Sequence, residues 1–179
     1  MAEQQEISLE ELKKQVAREQ KASEDAGRRV QLIVFKLGDE AYALPIDQVK
    51  EVVLTPGIAK VPQTPPFIKG VSNIRGNLIA IVDLEEKFNL SNDNPETGRA
   101  NYTLVIESED IKIGVLVKEV PNTLTVSTNN IESSSGVMQY SALEENTVKG
   151  IVKTDDRMVI LIDIIRMMET DEMKKLANI

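Results

Sequence analysis

Two segments of this chain repeat each other at a fixed spacing and without a gap. Lys69 to Asp83 aligns with Lys149 to Asp163, so that Lys-Gly, the apolar stretch and the final Asp all coincide. Each copy is typical of two strands joined by a turn: the first strand leaves the Lys-Gly pair, and the second returns as an apolar strand. The aspartate after the second strand is suited to cap a helix. Val, Ile and Leu dominate both copies, so chance similarity is the alternative, but the shared Lys-Gly and Asp argue against it. The repeat predicts two similar β lobes.

The middle of the chain indicates a mainly β fold. Short β-branched segments alternate with turn residues, and the segment 48–54 fits either a short strand or a helical turn. Gly76-Asn77 is predicted to be a tight hairpin turn, and a short helix is predicted at 85–88. The other predicted strands cover 30–37, 41–46, 78–84, 102–107, 111–118, 124–128, 148–153 and 158–162. Many short strands separated by turn signals favour small barrels or a sandwich.

The two ends of the chain have a different pattern. Ser8 and Glu11 form a capping-box signature, and Leu9, Leu12 and Val16 fall on one side of the helix that would follow. The apolar stripe stops there, which indicates a solvated helical extension; a helix docked on the body or on a partner is the alternative. We therefore divide the chain into an N-terminal helical or flexible extension (1–28), a body of two β lobes (29–168) and a C-terminal helical tail (169–179).

The composition of the chain limits the classes of function that it can have. The 179 residues include no Cys and no His, so disulfides, thiol chemistry, the common metal sites and the Ser-His-Asp triad are all absent. The net charge of −8 disfavours binding to nucleic acid. The sequence has no apolar run that could span a bilayer and no secretory signal, so we expect a cytoplasmic protein that does not insert into membranes. We also expect no cofactor.

Residues that could perform chemistry are few. The adjacent acids Glu10-Glu11, Glu85-Glu86, Glu144-Glu145 and Asp155-Asp156 lie in polar surroundings and are typical of solvated or turn positions rather than of a catalytic pair across a cleft. The stretch from Gly70 to Gly76 is followed by Asn and then a strand, which is not the pattern of a phosphate loop. Arg75 lies beside a predicted turn, where an arginine is usually solvated but could also bind a partner's carboxylate.

The stretch FIKGVSNIRGNLIAIVDL resembles the signature of the CheW family, the coupling proteins of bacterial chemotaxis. The resemblance runs from about Val30 to about Met168 and includes VFKLGDEAYALPIDQVKEVV, IKIGVLVKEV and GIVKTDDRMVILIDI. It implies two intertwined five-stranded SH3-like β-barrels with short helices and a hydrophobic seam between them. It also implies a non-enzymatic adaptor that couples the regulatory domain of a CheA-type histidine kinase to the cytoplasmic tips of methyl-accepting chemoreceptors.

The same resemblance suggests which residues bind partners. Arg75, Asn73 and Gly76 match the family's asparagine-leucine-arginine-glycine element, and Gly70 matches the glycine that ends phenylalanine-isoleucine-lysine-glycine. Two more residues, Val49 and Glu51, match positions near the receptor contact, and Val49 is expected to be an exposed aliphatic anchor. Glu85 departs from the pattern, because the family commonly has arginine there.

Two rival functions remain open from the sequence. A small-molecule-binding or hydrolytic β-barrel would need a deep pocket with converging polar groups. Within the adaptor class, the protein could serve pilus motility or another chemosensory pathway instead of chemotaxis.

Overall fold

The computed structural model describes residues 8–25, 27–90, 102–133 and 148–168. Its elements in chain order are α1 (Leu9–Asp25), β1 (Arg29–Leu37), β2 (Glu40–Pro45), a first 3₁₀ helix (Ile46–Gln48), β3 (Val49–Leu54), β4 (Ile68–Ile74), β5 (Asn77–Val82), α2 (Leu84–Lys87), β6 (Tyr102–Glu107), β7 (Lys112–Val117), β8 (Asn122–Ser127), a second 3₁₀ helix (Thr128–Asn130), β9 (Ile131–Ser133), β10 (Val148–Lys153), β11 (Met158–Ile162) and α3 (Ile164–Met168).

The strands form two sheets, which confirms the mainly β fold. Lobe A is the sheet with strand order β8-β1-β2-β11-β10-β9, and lobe B is the sheet with order β3-β6-β7-β5-β4. In each lobe two antiparallel hairpins join through one parallel pair, β2 with β11 and β5 with β7. Five strands were expected in each lobe, whereas lobe A has six because the short β9 pairs with β10. The ambiguous segment at 48–54 is a 3₁₀ turn that leads into a strand.

Both sheets close in the same way. The chain that leaves one edge strand crosses to the opposite edge of the same sheet. In lobe B, Ala59 and Val71 exchange two backbone hydrogen bonds of 2.9 Å, and the Ser72 hydroxyl donates to the carbonyl of Gly57 at 2.9 Å. In lobe A, the chain that follows β8 becomes β9 and pairs with β10. Closure covers strand edges that would otherwise expose unpaired backbone groups.

The repeated glycine of the Lys-Gly pair makes this closure sterically possible. The β4–β5 ladder shifts register between Ile68 and Gly70, and the β10–β11 ladder shifts between Val148 and Gly150. A Cβ on Gly70, whose φ is +142°, would lie 2.1 Å from the carbonyl oxygen of Ala59. A Cβ on Gly150 would lie 2.8 Å from the backbone oxygen of Glu132. The sequence repeat therefore marks the same structural device in both lobes.

The repeated aspartates cap the short helices, as predicted. An Asp83 carboxylate oxygen accepts from the backbone N–H groups of Glu85 and Glu86 at 3.0 and 3.3 Å. The equivalent Asp163 accepts from the N–H of Arg166 at 3.0 Å. Burial raises the pKa of Asp83 even though its cap hydrogen bonds and Lys69 oppose the shift.

A core shared by the two lobes lies between them. Successive residues of β1 point to different sides, so that Leu32 and Val34 fill the interior of lobe A while Ile33 and Phe35 enter the shared core. Lobe B contributes to the same shared core from β5, β6 and β7. Its main members are Ile33, Phe35, Leu37, Tyr42, Leu44, Val82, Leu104, Ile106, Ile113, Val115, Val117 and Ile162. Burial on both faces explains why these strands are continuously apolar.

Glu85 links the two lobes at one end of the shared core. One carboxylate oxygen accepts from the backbone N–H of Gly38, in the β1–β2 turn of lobe A, at 2.9 Å. The other forms a 2.9 Å ion pair with Lys118, which follows β7 of lobe B. The residue that departs from the family pattern therefore has a structural role in this chain.

Helix α1 covers Leu9–Asp25, and its side chains are exposed from residue 9 to residue 18, the part for which burial is described. The Ser8 hydroxyl accepts from the backbone N–H of Glu11 at 3.3 Å, which is half of the predicted capping box. The apolar residues Leu9, Leu12 and Val16 are exposed. The helical tail predicted at 169–179 lies outside the described residues and stays a prediction.

We expect Gly70→Ala to destabilise the protein by about 1–3 kcal/mol, because the new methyl group would meet the Ala59 carbonyl at a positive φ. Gly150→Ala should also destabilise it. The matched control is Gly57→Ala, where an added Cβ meets nothing within 4 Å. Urea unfolding followed by circular dichroism measures the three effects. Equal stability of the Gly57 and Gly70 variants would contradict this account of barrel closure.

Candidate partner-binding site

The β4–β5 connection is a two-residue turn made of Arg75 and Gly76. Ile74 pairs with Asn77 across it, and the two turn residues have φ values of +52° and +85°. Positive φ at both positions defines a type I′ turn, which normally uses Asn-Gly. The predicted turn at Gly76-Asn77 was wrong by one residue, because Asn77 is the first residue of β5. The left-handed conformation of a residue with a Cβ costs roughly 1–2 kcal/mol.

Two side chains hold this turn and its arginine. The side-chain oxygen of Asn73 accepts from the backbone N–H of Gly76 at 2.9 Å. A Glu51 carboxylate oxygen accepts from Nε of Arg75 at 2.7 Å. The Arg75 side chain is 74% exposed and that of Glu51 only 20% exposed. Among the described residues the Arg75 side chain makes one hydrogen bond, through Nε, so its other guanidinium donors are available to a partner.

Barrel closure brings Glu51 and Arg75 together. Glu51 lies on β3 and Arg75 follows β4, and these are the two edge strands of lobe B. They are distant in the order of the sheet and 24 residues apart in the chain. The ion pair therefore joins the two edges of a rolled sheet and holds the arginine at the rim of the barrel.

A second ion pair involves the residue next to Glu51 on β3. Lys50, next to Glu51 on β3, contacts Glu107 at the end of β6 at 3.1 Å. The hydrogen bond with Glu107 raises the pKa of Lys50, and the same bond lowers the pKa of Glu107. Both side chains are about half exposed. Lobe B thus has a second ion pair on β3, one residue from Glu51 in the chain.

The structure changes the role of two predicted site residues. Val49 is half-buried against the shared core, so the expectation that it is an exposed anchor was wrong. Burial alternates along β3, but the half-buried residues do not share one core: Val49 packs against the shared core, whereas Val53, beyond the register shift between Val49 and Glu51, packs against a separate cluster inside lobe B. Gly70 lies on the same strand as Asn73 but serves barrel closure.

The exposed aliphatic residues at lobe B were missed by the sequence reasoning. They are Val52 and Leu54 on β3 and Leu78 near the start of β5. The alternation of residues in VKEVVL could have identified Val52 and Leu54 as exposed, once the buried residues of this strand were known.

One cavity is relevant to the alternative function, a small-molecule-binding or hydrolytic β-barrel. It has a volume of about 530 Å³ in lobe A and is lined by apolar residues that include Val30, Leu32 and Leu161. Its polar groups include Lys149 and Gln48, whose side-chain oxygen is buried without a hydrogen-bond partner among the described residues. The acid whose pKa burial raises, Asp83, is not among the lining residues and caps α2 instead.

Neither a metal centre nor a membrane-spanning helix is found in the described ranges. No three His, Cys, Asp or Glu residues there come together in a way that could hold a metal ion. No helix in the same ranges is both long and apolar enough to cross a bilayer.

Comparisons with known proteins identify the family of this chain. The family model for the CheW-like domain matches residues 31–172. The Chemotaxis protein CheW of Treponema pallidum is 28% identical over 151 residues, which cover 83% of this chain and 88% of that protein. The Chemotaxis protein CheW of Bacillus subtilis is 31% identical over 134 residues, which cover 74% and 82%. The crystal structure of scaffolding protein TtCheW from Thermoanaerobacter tengcongensis superposes with a TM-score of 0.71 at 31% identity, covering 81% of this chain and 96% of that one.

The matched family model, the relatives named chemotaxis proteins and the solved scaffolding protein show an adaptor or scaffold of the chemotaxis class. Within that class the assignment is specific: the chain belongs to the CheW family. Helix α1 precedes the part of the chain that the family model matches.

We expect Arg75→Asn to leave the stability unchanged or to raise it by up to about 1 kcal/mol. Asn tolerates the left-handed conformation better than Arg does, and the exposed ion pair that is lost contributes only about 0–1 kcal/mol. Urea unfolding of the wild type and of the variant measures the difference. A loss of more than about 1 kcal/mol would show that the bond to Glu51 outweighs the backbone strain.

Proposed function

We propose that this chain is a non-enzymatic scaffold that couples a CheA-type histidine kinase to chemoreceptors. In this role one face binds the kinase's regulatory domain and another binds the cytoplasmic tips of methyl-accepting receptors, so that the protein works in the cytoplasm. Membership of the CheW family supports the proposal, as do relatives that are named chemotaxis proteins and a structural neighbour named a scaffolding protein. The absence of His and Cys supports a role without catalysis.

The observation that carries the proposal is the Arg75–Glu51 pair at the rim of lobe B. The turn accepts backbone strain in order to hold an arginine where Asn would be easier to accommodate, which is typical of a functional constraint. Glu51 fixes the side chain through Nε, and the remaining planar donors suit a carboxylate on a partner. We propose that Arg75 orients the partner, with Glu51, Asn73 and Gly76 holding it in position.

Apolar contacts would supply most of the binding energy beside this arginine. Val52, Leu54 and Leu78 are exposed on lobe B, and exposed aliphatic residues commonly contribute to protein interfaces. Val49 and Gly70 have supporting roles. Val49 packs on the shared core, and Gly70 allows the barrel to close.

The two lobes explain how one small protein can serve two partners. The shared core and the Glu85 link connect lobe A to lobe B, so that the faces keep a fixed relative orientation. A scaffold that acts by positioning needs such rigidity, because a flexible link would lower the effective concentration of one partner at the other.

We expect Arg75→Glu to leave the fold intact and to abolish receptor-dependent kinase activation, because it places a negative charge where a partner's carboxylate would bind. Activation is measured in a reconstituted mixture of kinase, receptor fragments and this protein. The matched control is Arg157→Glu, at the equivalent hairpin of lobe A, which is also exposed. Unchanged activation by Arg75→Glu would remove Arg75 from the site.

A charge swap separates recognition from structural support. The double variant Glu51→Arg with Arg75→Glu restores an ion pair across the rim but reverses the charge that a partner meets. We expect stability near that of the wild type and no recovery of activation. Recovery of full activation would mean that the ion pair matters only for holding lobe B closed.

A further inference from the structure

A cavity opens at one end of lobe A, and none of the residues that line it lies on a strand of lobe B. Its volume of about 530 Å³ falls within the range of roughly 300–1,000 Å³ that small-molecule sites have in proteins. Most of its wall is apolar, formed by Val30, Leu32, Pro45, Ile46, Ile131 and Leu161. The role of this cavity does not depend on the function proposed for the surface of lobe B.

The internal repeat shows what lobe B has at the corresponding position. Ile81 and Leu161 are equivalent residues of the two repeated segments. Ile81 pairs with β7 two residues before Leu116, which is buried inside lobe B. Leu161 pairs with β2 two residues before Pro45, which lines the cavity. Lobe A therefore has a proline where lobe B has a buried leucine.

A leucine and two threonines close this end of lobe B. Leu116 pairs with Thr103, which is fully buried and shares a 3.1 Å hydrogen bond with the hydroxyl of Thr55. In lobe A the paired residues are Pro45 and Leu32, and the chain turns at Pro45 into the first 3₁₀ helix. A proline ring is smaller than a leucine side chain, and the cavity lies where this exchange leaves the interior of lobe A unfilled.

One polar group of the wall has an unmet need for a hydrogen bond. The side-chain oxygen of Gln48 is buried without a partner among the described residues. An unpaired buried acceptor is costly, and such groups in native proteins call for an explanation. Rotation about the side-chain bonds would bring this oxygen to a donor that is bound in the cavity.

Asp47 and Lys149 place charges of opposite sign at the mouth of the cavity. Both residues line it and are exposed, and neither forms an ion pair within the described ranges. Lys69, the equivalent of Lys149 in the repeat, is instead paired with Glu86 of α2. The lysine that serves the structure in lobe B is thus available to a ligand in lobe A.

We propose that the cavity of lobe A binds a small zwitterion with an apolar body, the chemistry of a free amino acid such as phenylalanine. Lys149 binds the carboxylate, Asp47 binds the ammonium group, and the apolar wall covers the side chain. Gln48 turns its side-chain oxygen to the ammonium group and gains the hydrogen bond that it lacks without a ligand. A molecule with only one of the two charges would use only half of the mouth.

Isothermal titration calorimetry of the full chain tests this chemistry with four probes. Phenylalanine has both charges and an apolar body, phenylpropanoate lacks the ammonium group, phenethylamine lacks the carboxylate, and glycine lacks the apolar body. We expect phenylalanine to bind and each of the other three to bind more weakly by about tenfold or more. Absence of phenylalanine binding would overturn the proposal, and so would equal binding by phenylpropanoate or phenethylamine.

Two charge variants test the mouth of the cavity. Lys149→Gln should weaken phenylalanine binding by about tenfold or more. Lys36→Gln is the matched control, because Lys36 is an exposed lysine of lobe A that does not line the cavity. Asp47→Asn should weaken the binding of phenylalanine but not that of phenylpropanoate. Wild-type affinity for phenylalanine in the Lys149 variant would contradict the assignment of the carboxylate site.

Gln48→Leu separates ligand binding from structural support. The change removes a buried oxygen that has no partner, so we expect the Tm of the ligand-free protein to stay the same or to rise. Saturating phenylalanine should raise the Tm of the wild type by linkage and raise that of the variant much less. A lower Tm of the ligand-free variant together with an unchanged response to phenylalanine would show that Gln48 supports the fold, and would overturn its role in the site.

Discussion

The hydrophobic core that the two lobes share holds the molecule together. Neither sheet has this core to itself, since Phe35 and Leu44 come from lobe A and Leu104 and Val115 from lobe B. The hydrophobic effect scales with the apolar area removed from water, so separating the lobes would expose side chains that are now fully buried. A molecule built in this way has one preferred arrangement of its two faces, which is what a scaffold requires.

The position of the candidate site depends on how the sheet of lobe B closes. Closure of lobe B brings β3 against the β4–β5 hairpin, and Glu51 then reaches Arg75 across the rim. A flat sheet of the same strands would keep these residues apart. The strained turn persists because the hydrogen bond from Gly76 to Asn73, the strand pairing and the ion pair all support it. The position of Arg75 at the surface is thus a consequence of the closure of lobe B.

Much of this fold could be predicted from the sequence, because its strongest signals are local. The repeat located two equivalent hairpins, and the strands at 148–153 and 158–162 were predicted with the observed bounds. Predictions failed where tertiary structure decides. Val49 is half-buried because it packs against the shared core ahead of a register shift in β3, and β9 forms by pairing with β10 where the chain crosses lobe A. The Arg75–Glu51 contact joins edge strands, so no local pattern could reveal it.

The order of strands has a consequence for synthesis on the ribosome. All of lobe B lies between Val49 and Val117, whereas lobe A combines the β1–β2 hairpin with strands that follow Val117. Translation therefore delivers a complete lobe B while the first hairpin still lacks its parallel neighbour β11. Until the last strands emerge, the apolar side chains of β1 and β2 that face lobe A have no lasting cover, and a nascent chain is open to aggregation during that interval.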